Sequence, residues 1–169
     1  MNLTRTTTIG VLTLGIYLCG ISSKAQTPPL SLKIETDHTS VKIGADIPVT
    51  VLLANNTDHA IPGSKVSMYG DGGFEYKVNV EREDHAAVAR KYAEKFRRNE
   101  IGVTPLPGTG SVIFINIQPG ETDKDTVYVS NRYEFDEPGK YLVQVEYDLP
   151  KDLGGGVIKS NTITVTVIP

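Results

Sequence analysis

The stretch EPGKYLVQVEY, residues 137–147, decides the fold class. From Tyr141 to Tyr147, an apolar or aromatic residue stands at every second position, and this period of two predicts a β-strand with one buried face. Pro138 and Gly139 come directly before the strand and predict a turn. The stretch is therefore interpreted as a corner that leads into a strand of an antiparallel sheet.

The same alternation recurs on both sides of this strand, in segments separated by turn-forming residues. The segments are 30–34, 47–53, 74–80, 111–117, 126–129 and 163–167. Turn formers lie between them, as in Asn55–Asp58, Pro119–Gly120 and Gly154–Gly156. About seven short strands with turn signals between them predict an all-β fold, an immunoglobulin-like antiparallel β-sandwich.

Tyr141 has a specific place in that topology. It lies just inside the sixth strand, after the acidic-Pro-Gly corner, where a tyrosine corner places a hydroxyl that bonds to nearby backbone. Pro138, Gly139 and Tyr141 are therefore predicted to be structural residues. The alternative for Tyr141 is an ordinary half-buried aromatic side chain of a strand.

Residues 84–98, DHAAVARKYAEKFRR, depart from the alternation. Val88, Tyr92 and Phe96 recur every four residues, which is the spacing of one helical face. Asp84 is a suitable N-cap, and the two arginines at the end suit the negative end of the helix dipole. The segment predicts a short helical insert between the third and fourth strands.

This segment is also the most uneven charge feature of the chain. It carries five basic residues against a single acid, Glu94; the basic residues are Arg90, Lys91, Lys95, Arg97 and Arg98. One interpretation is a docking patch for a protein or an anionic surface. The other is a solvated helix face that complements the helix dipole.

The first 25 residues have the pattern of a targeting signal. Arg5 is followed by an uncharged apolar run, Ile9–Ile21, and then by the small residues Ser23 and Ala25. This predicts a secretory signal peptide cleaved after Ala25, which leaves residues 26–169 as one domain. The apolar run is short for a bilayer span, so no membrane span is expected after cleavage.

Cys19 raises the alternative of a lipoprotein anchor. The residue before it is Leu18, whereas a lipoprotein signal has a small residue there, so ordinary cleavage is favoured. The prediction is export to the periplasm or the extracellular space.

Composition excludes several functional classes. The chain of 169 residues has 39% hydrophobic and 22% charged residues, as expected of one globular domain. Its single Cys excludes a disulfide framework, and its net charge of −3 argues against nucleic-acid binding. The sequence has no Gly-x-Ser-x-Gly elbow and no phosphate-binding Gly-rich loop. No catalytic residue and no cofactor are therefore predicted.

Three other patterns are weak. Each histidine follows an aspartate, and the predicted topology spreads them over both ends of the sandwich as turn residues; they are His38, His59 and His85. Asp123 and Asp125 offer oxygen atoms, but too few for a recognised calcium loop, so no metal site is predicted. Asn55–Thr57 is a formal glycosylation sequon, relevant only in a eukaryotic secretory pathway.

The second half of the chain resembles that of small secreted bacterial immunoglobulin-like proteins, most of them uncharacterised. The resemblance is carried by VIFINIQPGET, VSNRYEFDEPGKYLVQVEY and SNTITVTV, within residues 111–167. It implies a fold and carries no catalytic residue. A looser similarity exists to the β-sandwich proteinase inhibitors of the BsuPI type, and there only the fold is analogous.

These observations predict an exported, non-catalytic binding or accessory module of the cell envelope or extracellular space. One alternative is a proteinase inhibitor that acts through an exposed loop at Asn99–Gly110. A second alternative is an enzyme of unrecognised type. For a binding module, the terminal segment Ile158–Val167 is a candidate edge for strand addition by a partner.

Overall fold

The computed structural model of the protein describes residues 28–67, 76–91, 94–95, 100 and 111–169. These residues form ten strands: β1 (Leu30–Glu35), β2 (Ser40–Lys42), β3 (Pro48–Asn55), β4 (Ile61–Ser67), β5 (Lys77–Arg82), β6 (Ser111–Ile117), β7 (Thr122–Tyr128), β8 (Gly139–Asp148), β9 (Val157–Lys159) and β10 (Ile163–Ile168). A search of the same residues for a helix with the length and apolarity to cross a membrane finds none.

Two sheets form the sandwich. One has the strand order β1-β3-β7, and the other has the order β2-β10-β8-β5, with β9 paired to the end of β8. The pairings are antiparallel except for β2 with β10, which run parallel. The predicted immunoglobulin-like β-sandwich is confirmed.

The structure has more strands than the seven predicted. The largest omission is β4, whose sequence IPGSKVS lacks a regular alternation because Pro, Gly and Ser interrupt it. Strands β2 and β9 have only three residues each, which is too short for a period of two to stand out.

The core lies between the two sheets and follows from the alternation. Val49, Val51 and Leu53 of β3 are completely buried, as are Val143 and Val145 of β8. Burying an aliphatic side chain of this size stabilises the fold by about 1.5–3 kcal/mol relative to leaving it exposed. The repeated inward positions therefore hold the sandwich together without a disulfide bond.

The helix predicted over residues 84–98 does not begin at Asp84, so this part of the prediction is wrong. Residues 83–84 form a turn, residues 85–91 are not helical, and His85 has a positive φ of 62°. Arg90 forms an isolated β-bridge with Tyr133. The backbone near Arg90 thus pairs with a distant part of the chain. This pairing competes with the local hydrogen bonds of a helix.

Helical conformation is present further along, at Glu94 and Lys95. The backbone N–H of Lys95 donates to the carbonyl oxygen of Lys91 at 3.2 Å, as in an α-helical turn. Residues 92–93 and 96–98 lie outside the described residues.

Strands β4 and β6 form a separate two-stranded ribbon, called the ribbon below. It continues the antiparallel β3–β7 ladder after an interruption, because Ala54 pairs with Thr122 and Ile61 pairs next with Ile117. Regular pairing stops between these positions. The ribbon is therefore a bent extension of two strands of the sandwich.

Candidate functional site

The predicted basic patch is partly used for internal contacts. Arg90 forms an ion pair with Glu100 at 2.6 Å, and its Nε donates to the Tyr133 hydroxyl at 3.3 Å. Lys91 Nζ donates to the carbonyl oxygen of Ser130 at 2.8 Å. The hydrogen bond to Tyr133 raises the pKa of Arg90, which remains a cation. These two cations thus attach the segment to residues 130–133.

Three predicted docking residues remain, Lys95, Arg97 and Arg98. Lys95 is exposed at the surface. Arg97 and Arg98 lie outside the described residues.

Glu94, the single acid of the basic segment, is its anchor. The side chain is completely buried, and Oε1 accepts a hydrogen bond from the backbone N–H of Val78 at 3.1 Å. Oε2 lies 3.4 Å from Nη1 of Arg132, which is also buried and donates to the carbonyl oxygen of Tyr76 at 2.6 Å. A lone acid within a basic run was the only sequence signal for this role.

These contacts close the outer edge of β5. Among the described residues β5 is the last strand of its sheet. Its Val78 N–H donates to Glu94, and its Val78 carbonyl oxygen accepts from the Tyr133 hydroxyl at 2.6 Å. Arg132 covers the neighbouring Tyr76 carbonyl oxygen. Backbone groups bonded in this way cannot recruit an added strand.

The terminal segment predicted as an edge is closed over part of its length. β10 lies between β2 and β8 and pairs with both. The strand-addition prediction for Ile158–Val167 is therefore wrong at Thr166 and Val167, which pair with both neighbours, whereas Ile163–Val165 pair only with β8 among the described strands. The part within β9 pairs with β8 over only three positions.

The strand β6 is different from these edges. Its sequence SVIFINI contains no charged residue. Val112, Ile113 and Phe114 are exposed by 52%, 60% and 85%. Among the described residues, β6 pairs only with β4. A contiguous exposed apolar segment of this kind is a candidate interaction site.

Lys65 holds the ribbon against the sandwich. Its Nζ lies 2.6 Å from Asp123 Oδ2 and 2.8 Å from Asp125 Oδ1, and its side chain is only 18% exposed. Burial lowers the pKa of Lys65, but the bonds to the two carboxylates outweigh this effect and raise it. The lysine cation thus lies between the two carboxylates that the sequence offered as calcium ligands.

The buried Tyr76 lies in the same environment. Burial raises the pKa of its phenol, and the nearby carboxylates of Asp125 and Asp123 raise it further. The phenol is therefore held in its neutral form.

Asn55 holds the bend at the base of the ribbon. Its buried Nδ2 donates to the carbonyl oxygens of His59 at 2.8 Å and Ile117 at 2.9 Å, and its Oδ1 accepts from the Thr57 N–H at 2.9 Å. These bonds replace the ladder that stops there. They also occupy the amide nitrogen of the formal sequon, so the folded protein does not offer it for glycosylation.

Tyr141 makes the backbone bond that a tyrosine corner requires. Its hydroxyl donates to the carbonyl oxygen of Glu137 at 2.7 Å, across Pro138 and Gly139. Its ring contacts Phe135 edge-on at a centroid distance of 4.8 Å. These residues therefore connect the corner to the core.

The remaining predicted sites have few described contacts. Of the loop Asn99–Gly110 proposed for an inhibitor, only Glu100 is described. His59 lies 3.0 Å from its exposed neighbour Asp58. Across the described ranges no three His, Cys, Asp or Glu side chains are grouped so as to hold a metal ion.

Comparisons with known proteins add no functional assignment. No protein-family model matches the chain, and no curated protein matches it in sequence. A β-glucosidase from Listeria innocua in complex with glucose is 16% identical with a TM-score of 0.41; the match covers 83% of this chain and 16% of that one. The human CEP192 PapD-like domain 7 is 11% identical with a TM-score of 0.28, covering 96% and 94%. Likenesses this weak carry no argument about function.

Proposed function

We propose that this protein is an exported, non-catalytic binding or accessory module of the cell envelope or extracellular space. In this proposal it docks a protein partner through β6. The same proposal includes membership in a group of small secreted bacterial immunoglobulin-like proteins, which the resemblance of residues 111–167 implies.

The observation that carries the proposal is the exposure of Phe114 in an uncharged strand. An aromatic side chain that is 85% exposed contributes little to the core of its own protein. Flanked by Val112 and Ile113, it forms the kind of aromatic and aliphatic anchor that dominates binding interfaces. A strand with an unpaired edge adds main-chain hydrogen bonds to such an anchor.

Two contacts support the ribbon as a preorganised element. Asn55 holds its base, and Lys65 ties its middle to β7. A binding surface held in one orientation loses less conformational entropy when a partner docks. The ribbon is thus both exposed and restrained.

A protein partner is favoured over an anionic surface. Arg90 and Lys91, two of the five basic residues, already make internal contacts. The exposed surface of β6 carries no charge, so docking through it depends on apolar contact and backbone pairing. We therefore expect binding that is insensitive to salt, whereas docking through the basic segment would weaken as salt screens the charges.

Site-specific photocrosslinking in the cells that produce the protein tests the proposal. A photoreactive phenylalanine analogue replaces Phe114 in one variant and Val157 in a control; Val157 is 50% exposed on β9. Protein adducts that form from position 114, survive high salt and do not form from position 157 support docking through β6. Equal adduct yields from both positions would overturn it.

Export is tested separately by the N-terminus of the purified protein. Signal cleavage after Ala25 leaves Gln26 as the first residue. An intact Met1 on protein recovered from the cell interior would contradict export.

A further inference from the structure

Resting on the proposed function, we infer that the partner of β6 is the β6 strand of a second copy of this chain. The two strands pair antiparallel about a two-fold axis at Phe114. Two ribbons then form one four-stranded sheet in the order β4-β6-β6-β4.

The backbone supplies the first argument. A two-stranded ribbon is marginally stable alone, and sheets gain stability from a third and a fourth strand. Within the described part of the chain, β4 and β6 pair only with each other. Pro62 lies in β4 and has no N–H to donate, so β4 is the poorer edge for growth. Extension of the sheet is therefore favoured on the β6 side.

Most other sheet edges in the described residues are protected, and the part of β10 that β2 leaves unpaired is only three residues long, 163–165. Asn161 bonds to both the N–H and the carbonyl oxygen of Ile34 on β1, at 2.9 and 3.0 Å. β7 carries three charged residues in a row, 123–125, and β5 is closed by Glu94 and its neighbours. β2 and β9 have only three residues each. Short, charged or covered edges are the usual protection against strand pairing, and β6 has none of these features.

The sequence of β6 suits pairing with itself. Full antiparallel overlap of its seven residues places Phe114 opposite Phe114, Ile113 opposite Ile115, and Val112 opposite Asn116. A two-fold axis at Phe114 makes every contact away from the axis occur twice, so one apolar strand provides both halves of the interface. Cross-strand aromatic and β-branched pairs are favourable.

The net charge of the protein also favours β6 as the dimer interface. The chain has a net charge of −3, so two copies repel one another over much of their surfaces. Pairing through β6 brings no charged residue of that strand into the interface, and so no unpaired charge is buried. Since one strand and its side chains form an interface smaller than most permanent ones, the dimer is expected to be concentration-dependent.

Sedimentation velocity over a concentration series tests the inference with charge-swapped variants. The wild type should shift from monomer to dimer as concentration rises. Phe114→Glu and Phe114→Lys should each weaken dimerisation at least about tenfold, because like charges then face each other and the aromatic contact is lost. An equimolar mixture of the two variants should recover dimer, since Glu then faces Lys.

Val157→Glu is the matched control, because it adds the same charge at an exposed apolar residue of another edge strand. It should dimerise like the wild type. Circular dichroism and thermal unfolding establish that each variant is folded before it is compared.

Three results would overturn the inference. They are a wild type that stays monomeric at all concentrations, Phe114→Glu protein that dimerises normally, and a variant mixture that does not recover dimer. Photocrosslinking from position 114 separates these results from the proposed function. If the wild type is monomeric but position 114 captures a different protein, the dimer is wrong and docking through β6 stands.

Discussion

Two unpaired strand edges, those of β5 and β6, are treated in opposite ways by the same chain. The edge of β5 is covered by Glu94, Arg132 and Tyr133, whose side chains bond to its backbone. Among the described residues β6 pairs only with β4, and Val112, Ile113 and Phe114 are exposed. The contrast between these two edges supports the proposal that β6 pairs with a partner.

The largest effect is expected from a change that disrupts the closed edge of β5. Glu94→Ala leaves the buried Arg132 without its carboxylate and the Val78 N–H without its acceptor, so we expect a loss of about 3–5 kcal/mol in the free energy of unfolding. Chemical denaturation measures it. The double variant Glu94→Leu with Arg132→Met should recover the part of this loss that comes from the uncompensated charge, but not the part that comes from the side-chain bonds to Val78 and Tyr76. A loss below about 1 kcal/mol in the single variant would show that the ion pair does not hold the edge.

The base of the ribbon is the next most sensitive point. Asn55→Ala removes the side-chain donor from the buried Ile117 carbonyl oxygen, whereas the exposed His59 keeps the Thr57 hydroxyl as a donor, and one buried unsatisfied group costs about 1–3 kcal/mol. Denaturation should show a loss in that range. Asn56→Ala is the control, since this exposed neighbour should change stability by less than about 0.5 kcal/mol. Equal effects of the two changes would contradict the role given to Asn55.

Alkaline pH tests the environment of Tyr76, which lies between the two regions. Its folded-state pKa is raised, so its contribution is fully present below the ordinary tyrosine pKa of 10.0 and is lost as pH rises towards the folded value. Stability should therefore fall above pH 10 by up to about 1.4 kcal/mol per pH unit from this group. Tyr76→Phe should flatten the decline, measured by denaturation from pH 8 to 11. An unchanged slope would contradict this role.

Lys65 tests whether the ribbon is held in place. Lys65→Met removes the cation between Asp123 and Asp125, and the cost should lie at the lower end of about 1–3 kcal/mol, because Asp125 is buried while the lysine itself is partly exposed. Hydrogen exchange should become faster in β4 and β6 and stay unchanged in β1. Lys124→Met, an exposed neighbour on β7, should leave the exchange of β6 unaltered. Unchanged β6 exchange in Lys65→Met would exclude the restraint.

The smallest effect is expected at the open edge. Phe114→Ser should change the free energy of unfolding by less than about 0.5 kcal/mol, since the side chain is already 85% exposed. Leu53→Ala in the buried core should cost about 2–5 kcal/mol by comparison. If Phe114→Ser destabilises the monomer as much as Leu53→Ala does, Phe114 belongs to the fold and not to a binding surface.

Prediction from the sequence succeeded where the signal is local. Alternation identified the strands that contain Val51, Val145 and Val165, and the Pro-Gly corner predicted the position of the Tyr141 bond. It was wrong about the start of the helix, because the backbone near Arg90 pairs with Tyr133, far along the chain. The period of four over residues 88–96 contains no information about that distant partner.

The candidate site could be predicted less well from the sequence than the fold. SVIFINI was identified as a strand, but its exposure depends on where the bend at Asn55 directs the ribbon. The basic residues drew attention to the segment at 84–98, although the acid Glu94 makes its buried contact. A charge count cannot distinguish a solvated side chain from a buried one.

The sequence by itself determined the all-β sandwich, because alternating burial is written into neighbouring residues and one register places them all inside. Only the tertiary structure decided which edges are closed and which is open. The contacts that decide it join residues far apart in the chain: 16 positions for Glu94 and Val78, 56 for Arg132 and Tyr76, and 60 for Lys65 and Asp125. Such pairs have no local periodicity, and they become neighbours only when the sheets assemble.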